Sequence, residues 1–387
     1  MVVGGWTAES LREMKIGLAL SGGGVRATMF HLGVLARLAE TPLWGQLAHI
    51  STVSGGSLCI ALVFVKAGKK WPSADEYLNT CLPEIRRVLT TFDLQKAYKR
   101  NTFTHPWLLS RGRARVIAKL IEKHWGVTGN IANMPREPRW TINATCYETG
   151  KNWRFAAKRM GDYEANYVIE PKFPLADAVA ASAAFPGLIG PLVLHTGKYQ
   201  WHKYEGDNLV PAEPIAKSLV LWDGGVYDNL GVEALYKLGK GFREGIDFCL
   251  VSDASGKFAA EERGDSEVSW LVKMWRAGNR LVAIPMDQVR GLRARDMFAF
   301  FKENSCGGII RMGESVQTVF NNNKCCPPDD AQLANSLTSE QVQAAATFST
   351  CLSALHPEEY DLLFRHGYET CGAVLACRQG GKGNLDP

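Results

Sequence analysis

The sequence predicts an α/β protein in which short buried strands alternate with helices. Three stretches indicate this. Residues 15–20 form an apolar run that leads into a glycine loop and a helical pattern, and residues 49–53 form a β-branched run that leads into a tight turn and an apolar helix. Residues 219–222 form a third apolar run, which ends in Asp-Gly-Gly. Apolar runs of this length, bounded by glycines and alternating with helices, favour a mainly parallel sheet.

The composition is that of a globular protein. The chain has 387 residues, of which 46% are hydrophobic and 21% are charged, so there is enough apolar material for a large core. The net charge of +5 is too small to indicate nucleic-acid binding. We find no signal-peptide pattern and no apolar run long enough to span a membrane. The ten cysteines include no Cys-x-x-Cys pair, so we expect reduced thiols and a cytoplasmic location.

The glycine loop after the first strand reads Ser-Gly-Gly-Gly-Val-Arg over residues 21–26. A loop between a strand and a helix directs backbone N–H groups at one spot, where they can bind an anion. A nucleotide-binding loop would end in Gly-Lys-Ser/Thr, which is missing, and a dinucleotide-binding loop would have glycine in place of Ala27. An oxyanion hole needs only two backbone N–H groups and fits the pattern best. A purely structural glycine turn is the alternative.

The turn after the second strand reads Thr-Val-Ser-Gly-Gly-Ser over residues 52–57. A serine at a sharp strand-to-helix turn is exposed in strained geometry, which suits a nucleophile. Gly55 and Gly56 allow the chain to double back without a Cβ atom in the way. Compared with the motif Gly-x-Ser-x-Gly, Thr52 replaces the first glycine. Ser54 is therefore the candidate nucleophile, and the alternative is a turn without chemistry.

A serine nucleophile needs a base, and the sequence offers two kinds. None of the eight histidines follows a strand end with a turn of small residues, although His356 and His366 give a formal Ser…Asp…His order. The other candidate is Asp223, at the end of the third strand. Burial against apolar side chains would raise its pKa and make it a usable base. Alternatively, Asp223 is a turn residue that caps a helix, a role that suits Asp228 and Asn229 better.

The rest of the chain is less informative. We expect one domain over residues 14–377, with a helical insertion at about 68–135, a variable helical part at about 257–377, a loop at 321–335 and a mobile tail at 378–387. Residues 96–123 contain eight Lys or Arg and one acid, with aromatic residues between them. Such a segment suits contact with an anionic lipid surface, and a solvated helix face is the alternative.

Together, the motifs at 21–26, 52–57 and 223–225 resemble those of the patatin-like phospholipase family, as do residues 143–150 and 181–187. The resemblance implies a three-layer α/β/α sandwich related to α/β-hydrolases, with a mainly parallel central sheet and no metal or cofactor. It implies that Ser54 is the nucleophile and Asp223 the proton acceptor of a dyad without histidine. It implies that Arg26 places a phosphate head group or braces its loop. The resemblance also implies an oxyanion hole at Gly22, Gly23, Gly24 and Val25, and it assigns Gly55, Gly56, Gly224 and Gly225 to the turns of the family's motifs.

The predicted function is therefore hydrolysis of fatty acyl esters of lipids, phospholipids included, by a serine acyl hydrolase. The expected partners are a lipid or other acyl-ester substrate and an anionic membrane surface, with no nucleic acid. Two alternatives stay open at this point. The same dyad could serve a small-ester carboxylesterase or an acyltransferase, or the site could be inactive and the protein a lipid-binding module.

Overall fold

A twelve-stranded mixed sheet runs through the protein. The computed structural model describes residues 13–104, 112–186, 189–256, 270–325, 330–349 and 352–379. The strands of the main sheet are β1 (Ile16–Leu20), β2 (Leu47–Thr52), β3 (Arg139–Cys146), β4 (Asn152–Ala156), β5 (Arg159–Asp162), β6 (Asn166–Ile169), β7 (Leu192–His195), β8 (Trp201–Glu205), β9 (Asn208–Ala212), β10 (Ser218–Asp223), β13 (Phe248–Asp253) and β14 (Gly307–Arg311). A separate hairpin consists of β11 (Tyr236–Lys237) and β12 (Gly241–Phe242).

The principal helices lie between and after these strands. They are α1 (Gly24–Ala39), α2 (Gly55–Lys66), α3 (Leu82–Thr91), α4 (Leu94–Thr104), α5 (Ala114–Trp125), α6 (Leu175–Ser182), α7 (Gly225–Asp228), α8 (Trp270–Asn304), α9 (Val316–Asn323), α10 (Asp330–Asn335), α11 (Ser339–Thr347) and α12 (Pro357–Gln379). A one-turn helix and a π-helical segment precede α3. Within the described residues, no helix combines the length and the apolar character needed to cross a bilayer.

The central strands are parallel, in the order β14-β13-β1-β2-β3. Leu20, the last residue of β1, is in register with Thr52, the last residue of β2. The carboxyl ends of parallel strands lie at one edge of a sheet. The loop after β1 and the turn after β2 therefore leave the sheet side by side.

The third strand of the prediction, β10, is not parallel to these. It pairs antiparallel with β3, and Asp223 is opposite Ala144. The sheet continues beyond β3 through the antiparallel strands β4, β5, β6, β8 and β9. The parallel arrangement thus holds for the centre of the sheet and not for β10. Strand β3 extends past the end of β2, because Thr52 is in register with Ile142 while Asp223 is opposite Ala144, two residues further along. The carboxyl end of β10 therefore lies at the edge where the glycine loop lies.

Helices cover both faces of the central sheet. Phe248 and Leu250 of β13 pack into the large apolar cluster that contains residues of α1, α2 and α12. The alternate residues Cys249 and Val251 pack into a second cluster that contains residues of α8. Successive side chains of a strand point to opposite faces, so this division shows helices on each side. The predicted three-layer α/β/α arrangement with a mainly parallel central sheet is confirmed.

Several predicted boundaries are wrong in detail. The loop predicted at 321–335 is helical at both ends, in α9 and α10, and residues 326–329 lie outside the described part. Residues 378 and 379, predicted to belong to a mobile tail, are helical, because α12 continues to Gln379. The rest of the predicted tail, residues 380–387, lies outside the described part. Strands β5 to β9 were not predicted as such. They are short, and β8 has mostly exposed polar side chains, so it lacks an apolar pattern. β9 is apolar in sequence but contains Pro211, and its side chains are largely exposed. The predicted division into domains stays a prediction.

Helices α1 and α12 cross in direct backbone contact. A methyl group on Gly33 of α1 would overlap the carbonyl oxygen of Phe364, and one on Gly367 of α12 would overlap the carbonyl oxygen of Phe30. Neither obstacle is a flexible side chain, so the helices could accept a Cβ atom only by moving apart. Helix α1 begins at the glycine loop, so its contact with α12 helps to fix the position of that loop.

We predict that Gly33→Ala destabilises the fold by about 1–3 kcal/mol, because overpacking a tight contact forces backbone shifts. The measurement is the free energy of unfolding in denaturant. Gly45→Ala is the matched control, because no atom lies within 4 Å of the position that its new methyl group would take. Equal stability of the two variants would contradict the close crossing.

Candidate active site

Ser54 occupies a strained turn between β2 and α2. Its backbone has φ +49° and ψ −112°, a conformation that side chains with a Cβ atom rarely adopt. The two glycines that follow pack against the loop after β1. A methyl group on Gly55 would overlap the carbonyl oxygen of Gly24, and one on Gly56 would overlap that of Leu20. The Ser-Gly-Gly sequence is therefore required by the close approach of the turn to the glycine loop.

A chain of buried hydroxyl groups holds this turn from below. The amide of Ser54 donates to the hydroxyl of Ser182 (3.0 Å), which is hydrogen-bonded to the hydroxyl of Ser57 (2.9 Å). Ser57 is in turn bonded to Thr52 (2.9 Å), whose hydroxyl accepts from the indole N–H of Trp140 (3.0 Å). Thr52, which departs from the Gly-x-Ser-x-Gly pattern, is thus part of the support of the turn. Nothing in the sequence around Thr52 indicated this role.

Asp223 lies beside Ser54 with a carboxylate that is almost completely buried. Its Oδ1 accepts a hydrogen bond from the amide of Gly225 (2.7 Å), while Oδ2 is buried and has no partner among the described residues. Burial raises the pKa of Asp223 to about 7 from an ordinary value of 3.8. The Gly225 amide and the Ser54 hydroxyl both lower this pKa, but burial is the larger effect. The Ser54 hydroxyl is thus close enough to the carboxylate to stabilise its charge.

The segment around Asp223 is anchored by its backbone. The Asp223 amide donates to the carbonyl of Ala184 (3.2 Å), and the Asp223 carbonyl accepts from the hydroxyl of Thr145 (2.8 Å). The Gly224 amide donates to the carbonyl of Ser182 (3.3 Å). The stretches at 143–150 and 181–187, which carried part of the family resemblance, therefore contact the candidate base.

Two amides of the glycine loop have no described hydrogen-bond acceptor. Gly23 and Gly24 have φ values of +139° and +63°, which favour glycine, and their amides donate to no acceptor in the described chain. The amide of Gly22 is already bonded to the carbonyl of Asn229 (3.0 Å). Val25 lies in the first turn of α1, where amides have no intrahelical acceptor. The donors available to an anion are thus at Gly23 and Gly24, with Val25 next.

Arg26 is buried behind this loop. Its guanidinium donates to the carbonyls of Phe348 (2.7 Å) and Ala254 (3.4 Å), and the side chain also contributes to the wall of the cavity. Of the two roles that the resemblance implies, these bonds support the bracing of the loop. They tie the start of α1 to the segments that follow β13 and α11.

His31 lies beneath the glycine loop and is not a base for Ser54. Its Nε2 donates to the carbonyl of Ser21 (2.9 Å), which leaves Nδ1 to accept from the hydroxyl of Ser252 (2.8 Å). Burial lowers the pKa of His31 to about 4, so the ring is neutral and holds the loop in place. His366 accepts from the amide of Gly313, and burial lowers its pKa to about 4 as well. No histidine in the described residues lines the cavity.

Ser54 and Asp223 open into a cavity of about 390 Å³. This volume is within the range of pockets that bind small molecules. The lining is mainly apolar, and part of it comes from α8, which the sequence did not assign to the site and which also contributes the polar side chains of Asn279, Asp287 and Arg290. The apolar residues of the wall are Ala183, Phe185, Pro186, Ile189, Ala283, Met286 and Leu352. Asn229, predicted only as a turn residue, also lines the cavity and donates to the hydroxyl of Ser255 (2.8 Å).

Comparison with known proteins agrees with this geometry. The family model described as patatin-like phospholipase matches residues 18–236, more than half of the chain. The chain belongs to the patatin-like phospholipase family. The matched part contains β1, the glycine loop, the turn at Ser54 and the Asp-Gly-Gly motif after β10, so the predicted resemblance is confirmed. A search of curated proteins found no significant match.

A solved structure resembles this patatin-like protein in fold. Human GIVD cytosolic phospholipase A2 superposes with a TM-score of 0.53 at 13% identity, over 95% of this chain and 60% of that one. VipD from Legionella pneumophila gives a TM-score of 0.30 at 18% identity, over 65% of this chain and 51% of that one. The chain thus spans about 60% of the human phospholipase chain that it matches, and the likeness extends to the fold alone.

We predict that Ser182→Ala destabilises this patatin-like protein by about 1–3 kcal/mol, because the buried amide of Ser54 loses its acceptor. The free energy of unfolding measures the effect. Ser218→Ala is the control, since that serine is partly exposed at the start of β10 and makes no described side-chain hydrogen bond. Equal stability of the two variants would show that the hydroxyl chain does not hold the turn.

Proposed function

We propose that this protein is a serine acyl hydrolase that cleaves fatty acyl esters of lipids through a dyad of Ser54 and Asp223. Membership of the patatin-like phospholipase family supports lipid acyl hydrolysis at the family level. One observation carries the finer proposal: a buried carboxylate with a pKa near 7 and an unpartnered oxygen shares a cavity with a serine on a strained turn. A base whose pKa is near the working pH is well suited to proton transfer.

In the proposed mechanism, the ester carbonyl of the substrate lies between Ser54 and the amides of Gly23 and Gly24. The Ser54 oxygen attacks the carbonyl carbon while Oδ2 of Asp223 takes the hydroxyl proton. The tetrahedral oxyanion is stabilised by the two amides, which need no reorganisation. Collapse of this intermediate breaks the ester bond, and the leaving alcohol takes the proton from Asp223. A water molecule then attacks the acyl-enzyme by the same route and releases the fatty acid.

The substrate class follows from the wall of the cavity. Apolar side chains of the wall favour the acyl chain of a lipid over a polar leaving group. A small-ester carboxylesterase or an acyltransferase would use the same groups, and chain-length preference on model esters separates these activities from lipid hydrolysis.

We also propose peripheral contact with anionic membranes, because residues 96–123 carry a high positive charge. The cytoplasmic location stays a prediction, and the eight cysteines that the structure describes carry free thiols.

We predict that Ser54→Ala and Asp223→Asn each lower acyl-ester hydrolysis by at least about 10,000-fold, as the removal of a nucleophile or its base does in other serine hydrolases. Both variants are to be compared by hydrolysis of a chromogenic ester and by covalent labelling with a fluorophosphonate. Asp207→Asn, an exposed acid in the β8–β9 turn, is the matched control. A folded Asp223→Asn protein with full activity would rule out the dyad, and absence of labelling in the wild type would favour the inactive lipid-binding module.

The raised pKa of Asp223 also predicts the pH dependence of the reaction. The base acts only when ionised, so kcat/KM should fall as pH decreases through about 7 and by about tenfold for each further pH unit. The pH profile on a substrate without ionisable groups tests this. A rate that is constant between about pH 5 and 8 would mean that the catalytic carboxylate has an ordinary pKa.

A further inference from the structure

A groove between α4 and α5 carries a cluster of exposed cationic side chains. We propose that this groove, which we call the basic groove, docks the protein on a phospholipid surface with anionic head groups. The inference rests on the proposed function, since it concerns how the catalytic cavity meets a lipid substrate. The groove has a volume of about 510 Å³ and is lined by Phe92, Asp93, Lys96, Ala97, Arg100, Asn101, Val116, Lys119, Leu120, Lys123 and His124.

The charges of the groove are regularly placed on two helices. Lys96 and Arg100 are one helical turn apart on α4, and Lys119 and Lys123 are one turn apart on α5. Residues at this spacing lie on the same helix face, about 6 Å apart. All four side chains are exposed. The three lysines form no salt bridge with any described acid. The attraction of these three lysines to negatively charged groups outside the protein is therefore not offset by salt bridges to described acids.

One acid faces these cations and is already engaged. A carboxylate oxygen of Asp93 accepts from the amide of Lys96 (2.7 Å), so Asp93 acts as the cap of α4. The ring of His124 stacks on Phe92 with 3.9 Å between ring centroids. The pKa of His124 is lowered, mainly by desolvation and to a smaller extent by the positive charge of Lys123. Four cationic groups thus face one carboxylate, which leaves a net positive charge on the groove.

The form of the groove favours a surface over a single bound phosphate. A site for one phosphate group brings several donors, often backbone amides, to one point. Here the cations are exposed and spread along two helices, with the apolar side chains of Phe92, Val116 and Leu120 between them. Such an arrangement of exposed cations can contact several head groups at once.

Helix α4 also connects the basic groove to the catalytic cavity. On the side away from Lys96, the hydroxyl of Tyr98 donates to the carbonyl of Ile189 (2.8 Å). Gln95 binds the backbone of Leu352 twice, through its amide (3.0 Å) and its side-chain oxygen (3.1 Å). Ile189 and Leu352 both line the cavity. The cavity wall and the groove are therefore separated by the width of one helix, about 10–12 Å, so in the proposed docked state the cavity wall lies about one helix width from the lipid.

The test uses the full chain with Ser54→Ala, so that lipid is bound and not consumed. Binding is measured by co-sedimentation with phosphatidylcholine vesicles, with and without phosphatidylserine. The groove variant carries Lys96→Gln, Lys119→Gln and Lys123→Gln. The matched control carries Lys158→Gln, Lys217→Gln and Lys240→Gln, three exposed lysines outside the groove. Both triple variants lower the formal net charge of the protein by the same amount.

We expect the parent protein to bind only the phosphatidylserine vesicles and to lose binding as salt rises, because salt screens exposed charges. Each lysine near an anionic surface contributes roughly fivefold, so the groove variant should bind on the order of 100-fold more weakly while the control is unchanged. Equal loss in both variants would reduce the effect to net charge, and no loss in the groove variant would overturn the proposal. If inorganic phosphate displaces the protein from the vesicles more strongly than salt of equal ionic strength does, the groove is a phosphate site and not a surface contact.

A second measurement separates this proposal from the proposed function. With Ser54 restored, the groove variant should hydrolyse a soluble short-chain ester at the wild-type rate but anionic vesicles more slowly. If no form hydrolyses the soluble ester, the dyad proposal fails, and vesicle binding still tests the groove. If the groove variant loses the soluble-ester activity too, the substitutions disturb the cavity and the docking role is overturned.

Discussion

The burial of one carboxylate governs the chemistry that this structure can support. Asp223 lies in a dry position where a single amide is the hydrogen-bond donor to Oδ1 and where Oδ2 has no described partner. A charged carboxylate is costly in such a place, and the pKa rises until ionised and neutral forms coexist near neutral pH. The burial that makes the charged residue unfavourable for stability is also what lets it act as a base without a histidine in the proposed mechanism.

The backbone around this carboxylate is organised by contacts that leave no room for side chains. The turn at Ser54 packs on the carbonyls of the loop after β1, and Gly224 packs on the carbonyl of Asn143. Glycines at these positions allow three separate segments to meet within one site. Neutral His31 and buried Arg26 hold the glycine loop, and the hydroxyl chain from Trp140 to Ser182 holds the turn at Ser54. The site is therefore supported mainly by polar contacts beneath it.

The surface on one side of the site has a different character. Helix α4 presents Tyr98 and Gln95 to the cavity wall and Lys96 and Arg100 to the basic groove. A single helix thus has a structural face and a cationic face, as expected of an amphipathic element at the boundary of a protein. The cavity lining, formed in part by α8, supplies the apolar surface that the proposed acyl-chain substrate requires.

The α/β class, the family and the residues that the proposal uses follow from the amino-acid sequence alone. They do so because strand–glycine–helix patterns are local, and because Ser54-Gly55-Gly56 and Asp223-Gly224-Gly225 reflect backbone contacts that only glycine permits. The antiparallel course of β10, the bonding of the Gly22 amide to Asn229 and the hydroxyl chain through Thr52 emerge only from the folded chain. Each depends on segments far apart in the chain, as does the pKa of Asp223, because burial is a property of the packed protein and not of neighbouring residues.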